Sequence, residues 1–165
     1  MTIQWRAIMQ RYPMTPDGKR KLEERLKHLK SVDRPQNIAS IEEARNHGDL
    51  SENAEYDAAK ERQLHISNEI REVENKLALA HVIDPKQIKS DKVVFGATIT
   101  LLTLESQDTV TYTIVGTDEA DINKGKISIE SPIARAMIGK QEGDEINVRT
   151  PKGLVQYELV TIEYV

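Results

Sequence analysis

The sequence predicts a chain in two parts: an antiparallel α-helical coiled-coil hairpin, then a small domain built on an antiparallel β-sheet with one short helix. The first observation is a seam. Tyr56, Ala59, Gln63, Ile66, Ile70, Val73, Leu77 and Ala80 follow one another at alternating spacings of three and four, a heptad pattern that a lone helix cannot bury, so an earlier helix must fold back on it. The second is a change of period. After Val82-Ile83-Asp84-Pro85 the heptads give way to alternating β-branched runs. Composition agrees with an elongated helical part joined to a compact one: 30% of the 165 residues are charged and only 4% aromatic, with glycine sparse until the second half.

Met1 to Ile8 hold the only tryptophan and show no period, and they read as a disordered extension without a function. Thr15-Pro16-Asp17 is a helix start: the threonine accepts from free N–H groups, proline suits the first position, and the acid faces the positive end of the dipole. Leu22, Leu26 and Leu29 mark one face of this helix. Pro35 must disturb it, because proline removes a donor and clashes with the preceding turn. Ile38, Ile41 and Ala44 then resume the stripe in another phase, which predicts a kink or short break near Asp33-Arg34-Pro35 and a second segment reaching about His47. Gly48 is the expected C-terminal cap. The returning helix, from Glu52 to Ala80, would be roughly 40 Å long. The hairpin is thus expected over residues 9–82, a linker over 83–90 and the second domain over 91–165.

In that second domain, residues 97–104 and 109–115 are β-branched runs separated by Ser106-Gln107-Asp108, the pattern of a hairpin. Lys126-Ile127-Ser128-Ile129 reads as a third strand. Ser131-Pro132 opens a short helix over Ile133 to Ile138 that Gly139 ends. Residues 145–149, the Pro151-Lys152-Gly153 turn and residues 155–165 supply a last hairpin.

A net charge of −4 and a pI of about 5.6 argue against wholesale binding of duplex DNA through phosphates. There is no cysteine, which removes disulfides and cysteine zinc sites. No apolar run approaches the roughly 20 residues that span a bilayer, and the N-terminus lacks a signal-peptide core. A soluble, cytoplasmic protein with no membrane partner is expected.

The densest carboxylate cluster lies where the two helical patterns converge. From Glu42 to Glu61 the acids are Glu42, Glu43, Asp49, Glu52, Glu55, Asp57 and Glu61, against Arg45 and Lys60. An exposed acidic bend suits a hard cation better than a phosphate. Asp49 and Glu52 also have the spacing of a capping box, with Asp49 at N-cap and Glu52 at N3. Both roles can coexist. Mg²⁺ is often held by one or two carboxylates together with water and substrate phosphates, so two acids on a protruding tip can complete a metal site in another protein. Arg45 and Lys60 are placed to meet an RNA phosphate, or to serve as an ordinary helical ion pair and a solvated lysine. Tyr56 can stack on a base or fill its heptad position. His28, His47, His65 and His81 share no ligand spacing and read as surface residues.

The run Ala44-Arg45-x-x-Gly48-Asp49-Leu50-x-Glu52-Asn53-Ala54-Glu55-Tyr56-x-Ala58-Ala59 resembles the tip motif of the Gre family of bacterial transcript cleavage factors. Phe95-Gly96-Ala97-Thr98, Ile114-Val115-Gly116-x-Asp118-Glu119-Ala120-Asp121 and Ser131-Pro132-Ile133-Ala134-Arg135-x-x-Ile138-Gly139-Lys140 resemble its C-terminal domain. The likeness runs from about Met9 to Val165. It implies an FKBP-like second domain that docks at the rim of the secondary channel of RNA polymerase, with Ser131, Pro132, Ile133 and Arg135 as docking residues, and a coiled coil that enters the channel. It also implies that Asp49 and Glu52 help hold the polymerase's Mg²⁺ and attacking water, so that the polymerase itself cleaves backtracked RNA. Arg45 and Lys60 match basic positions near the RNA 3′ end; Lys60 is often arginine in relatives, and a lysine does not make the bidentate phosphate contact.

On this resemblance the chain is a transcription elongation factor and not an enzyme by itself. It would have no cofactor or small-molecule substrate of its own, Mg²⁺ being supplied in the polymerase active site, and would act as a monomer on polymerase and nascent RNA. The alternative is a regulator that binds the channel and inhibits without supporting cleavage; such relatives depart from the Asp-Leu-x-Glu pair kept here. The FKBP-like resemblance also raises proline isomerisation, but that fold usually needs an aromatic-lined pocket, and this half offers only Phe95, Tyr112, Tyr157 and Tyr164.

Overall fold

The computed structural model describes residues 11–49 and 52–165; the expected extension, Met1 to Ile8, lies outside them. The chain divides into two compact units, Lys19–Ala80 and a second made of the described residues up to Gly18 with His81–Val165.

In the helical unit, α1 (Pro16–His28) runs into a π-helical turn, Leu29–Asp33, and on into α2 (Arg34–Asn46). The disturbance predicted near Asp33-Arg34-Pro35 takes this form, with the Arg34 N–H reaching back five residues to the Leu29 carbonyl. A wider turn accommodates Pro35 because it relieves the tight repeat just where the ring would meet the preceding turn. The extra residue also resets the inward face. Leu29, Asn37, Ile41 and Ala44 are buried, whereas Ile38, expected on the stripe, is 46% exposed. Asn37 takes that inward place with its polarity satisfied, its side-chain amide donating to the Ala59 carbonyl at 2.9 Å.

Helix α3 (Ala54–Ala78) returns along this face, and its 25 residues make it about 37 Å long. Its predicted seam is the buried side: Ala59, Ile66, Ile70 and Val73 are buried, and Tyr56, Gln63 and Leu77 half-buried. Leu29 packs with Ile66, Ile70 and Leu26. Charged pairs line the rim, Arg25 gripping Glu69 with two N–H groups at 2.7 and 2.9 Å and Lys30 pairing with Glu74.

In the second unit, β1 (Tyr12–Met14) and β2 (Ala80–Val82) form a two-stranded sheet. Strands β3 (Thr98–Thr103), β4 (Thr109–Val115), β5 (Lys126–Ser128), β6 (Glu145–Thr150) and β7 (Gly153–Glu163) form the main sheet in the order β5-β4-β3-β7-β6. Helix α4 (Pro132–Met137) contributes Ala134 and Met137 to a core shared with Ile99, Leu101, Ile114, Ile146 and Leu159. The sheet is mixed rather than wholly antiparallel, because β5 pairs with β4 in parallel. Between them, residues 116–125 form two 3₁₀ turns, Thr117–Glu119 and Ile122–Lys124. This connection returns the chain to the end where β4 began, which a tight hairpin cannot do.

Glu119 ties the start of α1 into this unit. Its carboxylate accepts from the Thr15 N–H at 3.0 Å, the Thr15 hydroxyl and the Gly116 N–H at 3.2 Å. The Thr15 oxygen in turn accepts from the Gly18 N–H at 3.1 Å, the cap that the sequence predicts.

Candidate functional site

The bend between α2 and α3 is shaped by its two helix ends. Helix α2 closes at His47, and Gly48 follows with φ of +117°, a conformation that suits a residue without Cβ. Helix α3 does not begin from the box expected at Asp49 and Glu52. Its N-cap is Asn53, whose side-chain oxygen accepts from the Tyr56 N–H at 3.0 Å. Asp49, Ser51 and Asn53 are all capping types, and Asn53 wins because Glu55 and Asp57 then occupy the first turn, where the helix dipole favours acids. That acidic first turn was the available signal. The corrected register leaves both Asp49 and Glu52 outside α3, on exposed residues of the bend. Leu50 and Ser51 lie outside the described residues.

Asn53 has a second bond. Its side-chain N–H donates to the Ala44 carbonyl at 2.6 Å, so one amide joins the end of α2 to the start of α3. Beside it, His47 Nδ1 lies 2.9 Å from Glu55 Oε2. His47 is exposed, as are His28 and His65, whereas His81 is half-buried.

Arg45 is exposed, with its guanidinium carbon 6.0 Å from the centre of the half-buried Tyr56 ring, at the outer reach of a cation–π contact. Tyr56 therefore supports Arg45 while keeping its heptad place. Lys60 is exposed and donates to Gln63 Oε1 at 2.7 Å. Asp49, Glu52, Arg45 and Lys60 thus all belong to the bend and the turns beside it.

The four expected docking residues lie in the other unit. Ser131 caps α4, its hydroxyl accepting from the Ala134 N–H at 3.3 Å, and Ile133 packs on the core. Pro132 and Arg135 are exposed. The first two hold the short helix in place and the second two are presented to solvent.

The donor set at the bend fits a hard cation only in part. Two exposed carboxylates offer oxygen ligands of the kind Mg²⁺ prefers, but among the described residues no group of three or more His, Asp or Glu side chains converges to hold a metal. A cation held here would need its remaining ligands from water or from a second body. Among the described residues, no helix is long and apolar enough to cross a membrane.

Against this geometry stand the family comparisons. Residues 12–82 match the family model described as "Transcription elongation factor, N-terminal", and residues 88–164 match "Transcription elongation factor, GreA/GreB, C-term". The chain belongs to the GreA/GreB family of transcription elongation factors. The motif details resemble the GreA branch of that family, and the two relatives that follow carry that name. The chain is 54% identical over 158 residues to Transcription elongation factor GreA of Neisseria meningitidis serogroup A, covering 95% of this chain and 100% of the relative. It is 55% identical over 156 residues to that of Hyphomonas neptunium, covering 94% and 99%. A solved structure described as a prokaryotic transcription elongation factor GreA/GreB, from Nitrosomonas europaea, is 22% identical over 93% of this chain and 100% of that one, with a TM-score of 0.42.

Proposed function

We propose that this protein binds bacterial RNA polymerase, inserts its helical tip into the secondary channel and stimulates the polymerase's own Mg²⁺-dependent endonucleolytic cleavage of backtracked RNA. The observation that carries the reading is the register of the tip: Asn53 caps α3, so the charges of Asp49 and Glu52 are not required to start that helix. In this reading the two carboxylates add oxygen ligands to a site whose other ligands belong to the polymerase and the RNA. Asp49 and Glu52 would help hold a Mg²⁺ there, which would supply Lewis-acid polarisation of a phosphate oxygen and a more acidic water. Arg45, supported by the Tyr56 ring, and Lys60 offer positive charge to phosphates near the RNA 3′ end. Pro132 and Arg135 give the second unit an exposed docking edge, with Ser131 and Ile133 fixing it. The protein acts as a monomer in the cytoplasm, has no metal or active site complete in itself, and is not an enzyme on its own.

The test uses stalled, backtracked elongation complexes mixed with the protein, with and without Mg²⁺, followed by release of short RNA from the 3′ end. Mg²⁺-dependent release that needs the protein is the expected result. Binding to the complex without any stimulated release would replace this reading with that of a channel-binding inhibitor.

A further inference from the structure

We propose that Asn53 is a positioning residue for cleavage, holding the two ends of the bend together so that Asp49 and Glu52 reach the metal as a pair; the inference rests on the function proposed above. The feature behind it is the double use of one planar amide. The Asn53 oxygen accepts from Tyr56 N–H in the first turn of α3, and the Asn53 nitrogen donates to the Ala44 carbonyl in the last turn of α2. The Ala44 carbonyl also accepts from the His47 N–H at 3.2 Å, so the amide is fastened to the turn that closes α2.

Helix capping alone does not require asparagine, since aspartate and serine cap as well. The bridge does. Aspartate can accept from Tyr56 but has no hydrogen for Ala44 and would set a negative oxygen against a carbonyl. Serine has a single short hydroxyl that cannot reach both partners, and alanine makes neither bond. Asn53 is half-buried, which makes replacement of its donated bond by water less effective than on an open surface. Since Asp49 and Glu52 lie between the two tied helix ends, the bridge shortens the range of positions their carboxylates can sample. Catalytic groups are sensitive to such looseness.

Asn53→Asp separates the bridge from the cap. At saturating factor its cleavage rate is expected to fall about 10- to 100-fold, the range associated with misplacement of a reacting group by about an ångström. Affinity for polymerase should stay at the wild-type value, and the Mg²⁺ concentration for half-maximal cleavage should rise, because the paired carboxylates are less preorganised. Asn53→Ala, which also loses the cap, should show the same Mg²⁺ shift together with a lower melting temperature. Amide hydrogen exchange on the free protein should accelerate at Asp49 and Glu52 in Asn53→Asp while Tyr56 stays protected. Wild-type cleavage and Mg²⁺ midpoint in Asn53→Asp would overturn the inference, as would parallel loss of binding and cleavage with no change in that midpoint. Unchanged exchange at Asp49 and Glu52 would also overturn it, whatever the cleavage assay gives. Failure of wild-type protein to stimulate release would instead remove the proposed function, so the two failures are distinct.

Discussion

Asp49→Asn and Glu52→Gln test the chemistry at the tip with little change of shape. Had these residues formed the capping box of α3, each substitution would have touched the start of a 25-residue helix. Instead the cap is Asn53, and both carboxyl residues are exposed. Each amide keeps an acceptor oxygen of nearly the same size. Exposed, near-isosteric substitutions that keep an acceptor oxygen and leave the Asn53 cap in place usually stay within about 0.5 kcal/mol, so melting should hardly change in either variant. Loss of a true cap, as in Asn53→Ala, should destabilise by about 1 kcal/mol. Cleavage should respond on another scale. A neutral amide is a weaker partner for Mg²⁺ than a carboxylate, and removing one well-placed electrostatic contact in an active site costs about 3–4 kcal/mol, or a factor of 10² to 10³ in rate. The assay measures melting, polymerase affinity and RNA release on the same preparations. Normal folding and binding with release lowered by two or three orders of magnitude is the expected pattern. Full release in both variants would refute the metal role, and a stability loss above about 1 kcal/mol in either would refute the separation of charge from capping.

The free protein should bind Mg²⁺ weakly, since two exposed carboxylates leave most of an octahedral shell to water; calorimetry showing tight, stoichiometric binding would contradict this. Gly18→Ala should lower stability, because a Cβ there would lie 2.2 Å from Glu119 Cδ. Displacing that carboxylate breaks its bonds to Thr15 and Gly116, so after a helix-propensity gain of about 1 kcal/mol the net loss should be roughly 2 kcal/mol. Thermal denaturation should show the loss shrinking when Glu119→Ala is already present. Burial pushes the Tyr164 phenol above its ordinary pKa, only partly offset by a hydrogen bond from the Val94 N–H. The folded state therefore holds the proton more tightly than the unfolded one, and this stability is whole below about pH 10 and lost as pH rises through the folded value. Tyr164→Phe should flatten the fall in denaturant stability above about pH 10, while weakening the fold at pH 7 by about 1 kcal/mol through loss of the bonds to Val94 and Lys92.

Much of the fold is legible in the residues because its signals are local and periodic. The seam from Tyr56 to Ala80 needs only helical spacing to be seen, and β3, β4, β6 and β7 only alternation and turn residues. The slip at Pro35 is legible as a slip, but a π turn and a kink shift the hydrophobic frame alike, which is why hydrophobic spacing points to Ile38 while the fold buries Asn37. Buried Asn37 is invisible to a hydrophobic pattern; what makes it tolerable is the Ala59 carbonyl on another helix. The parallel pairing of β5 and the bond from Thr15 to Glu119 join residues distant in sequence, and neither has a local signature. At the tip, acidic content and motif mark the bend between the helices, but competing cap residues within five positions make the helix start ambiguous until Asn53 is seen to reach Ala44.

That division of labour at the tip explains how charge can vary there without the fold. The hairpin is held by its buried seam and by rim pairs such as Arg25 with Glu69, and the bend is closed by Asn53 and flanked by His47 with Glu55. Removing charge at 49 or 52 therefore leaves the helices with their caps, core and rim pairs. On the function proposed above, a chain of this architecture with carboxylates at the tip and one without them would both bind the polymerase and would differ in whether cleavage follows. In this chain both positions are acidic, on a bend flanked by Arg45 on Tyr56 and by the Asn53 bridge. On that reading the choice between a cleavage factor and a channel blocker turns on two side-chain charges, which is why charge-neutral isosteres separate the two where truncations or alanines would not.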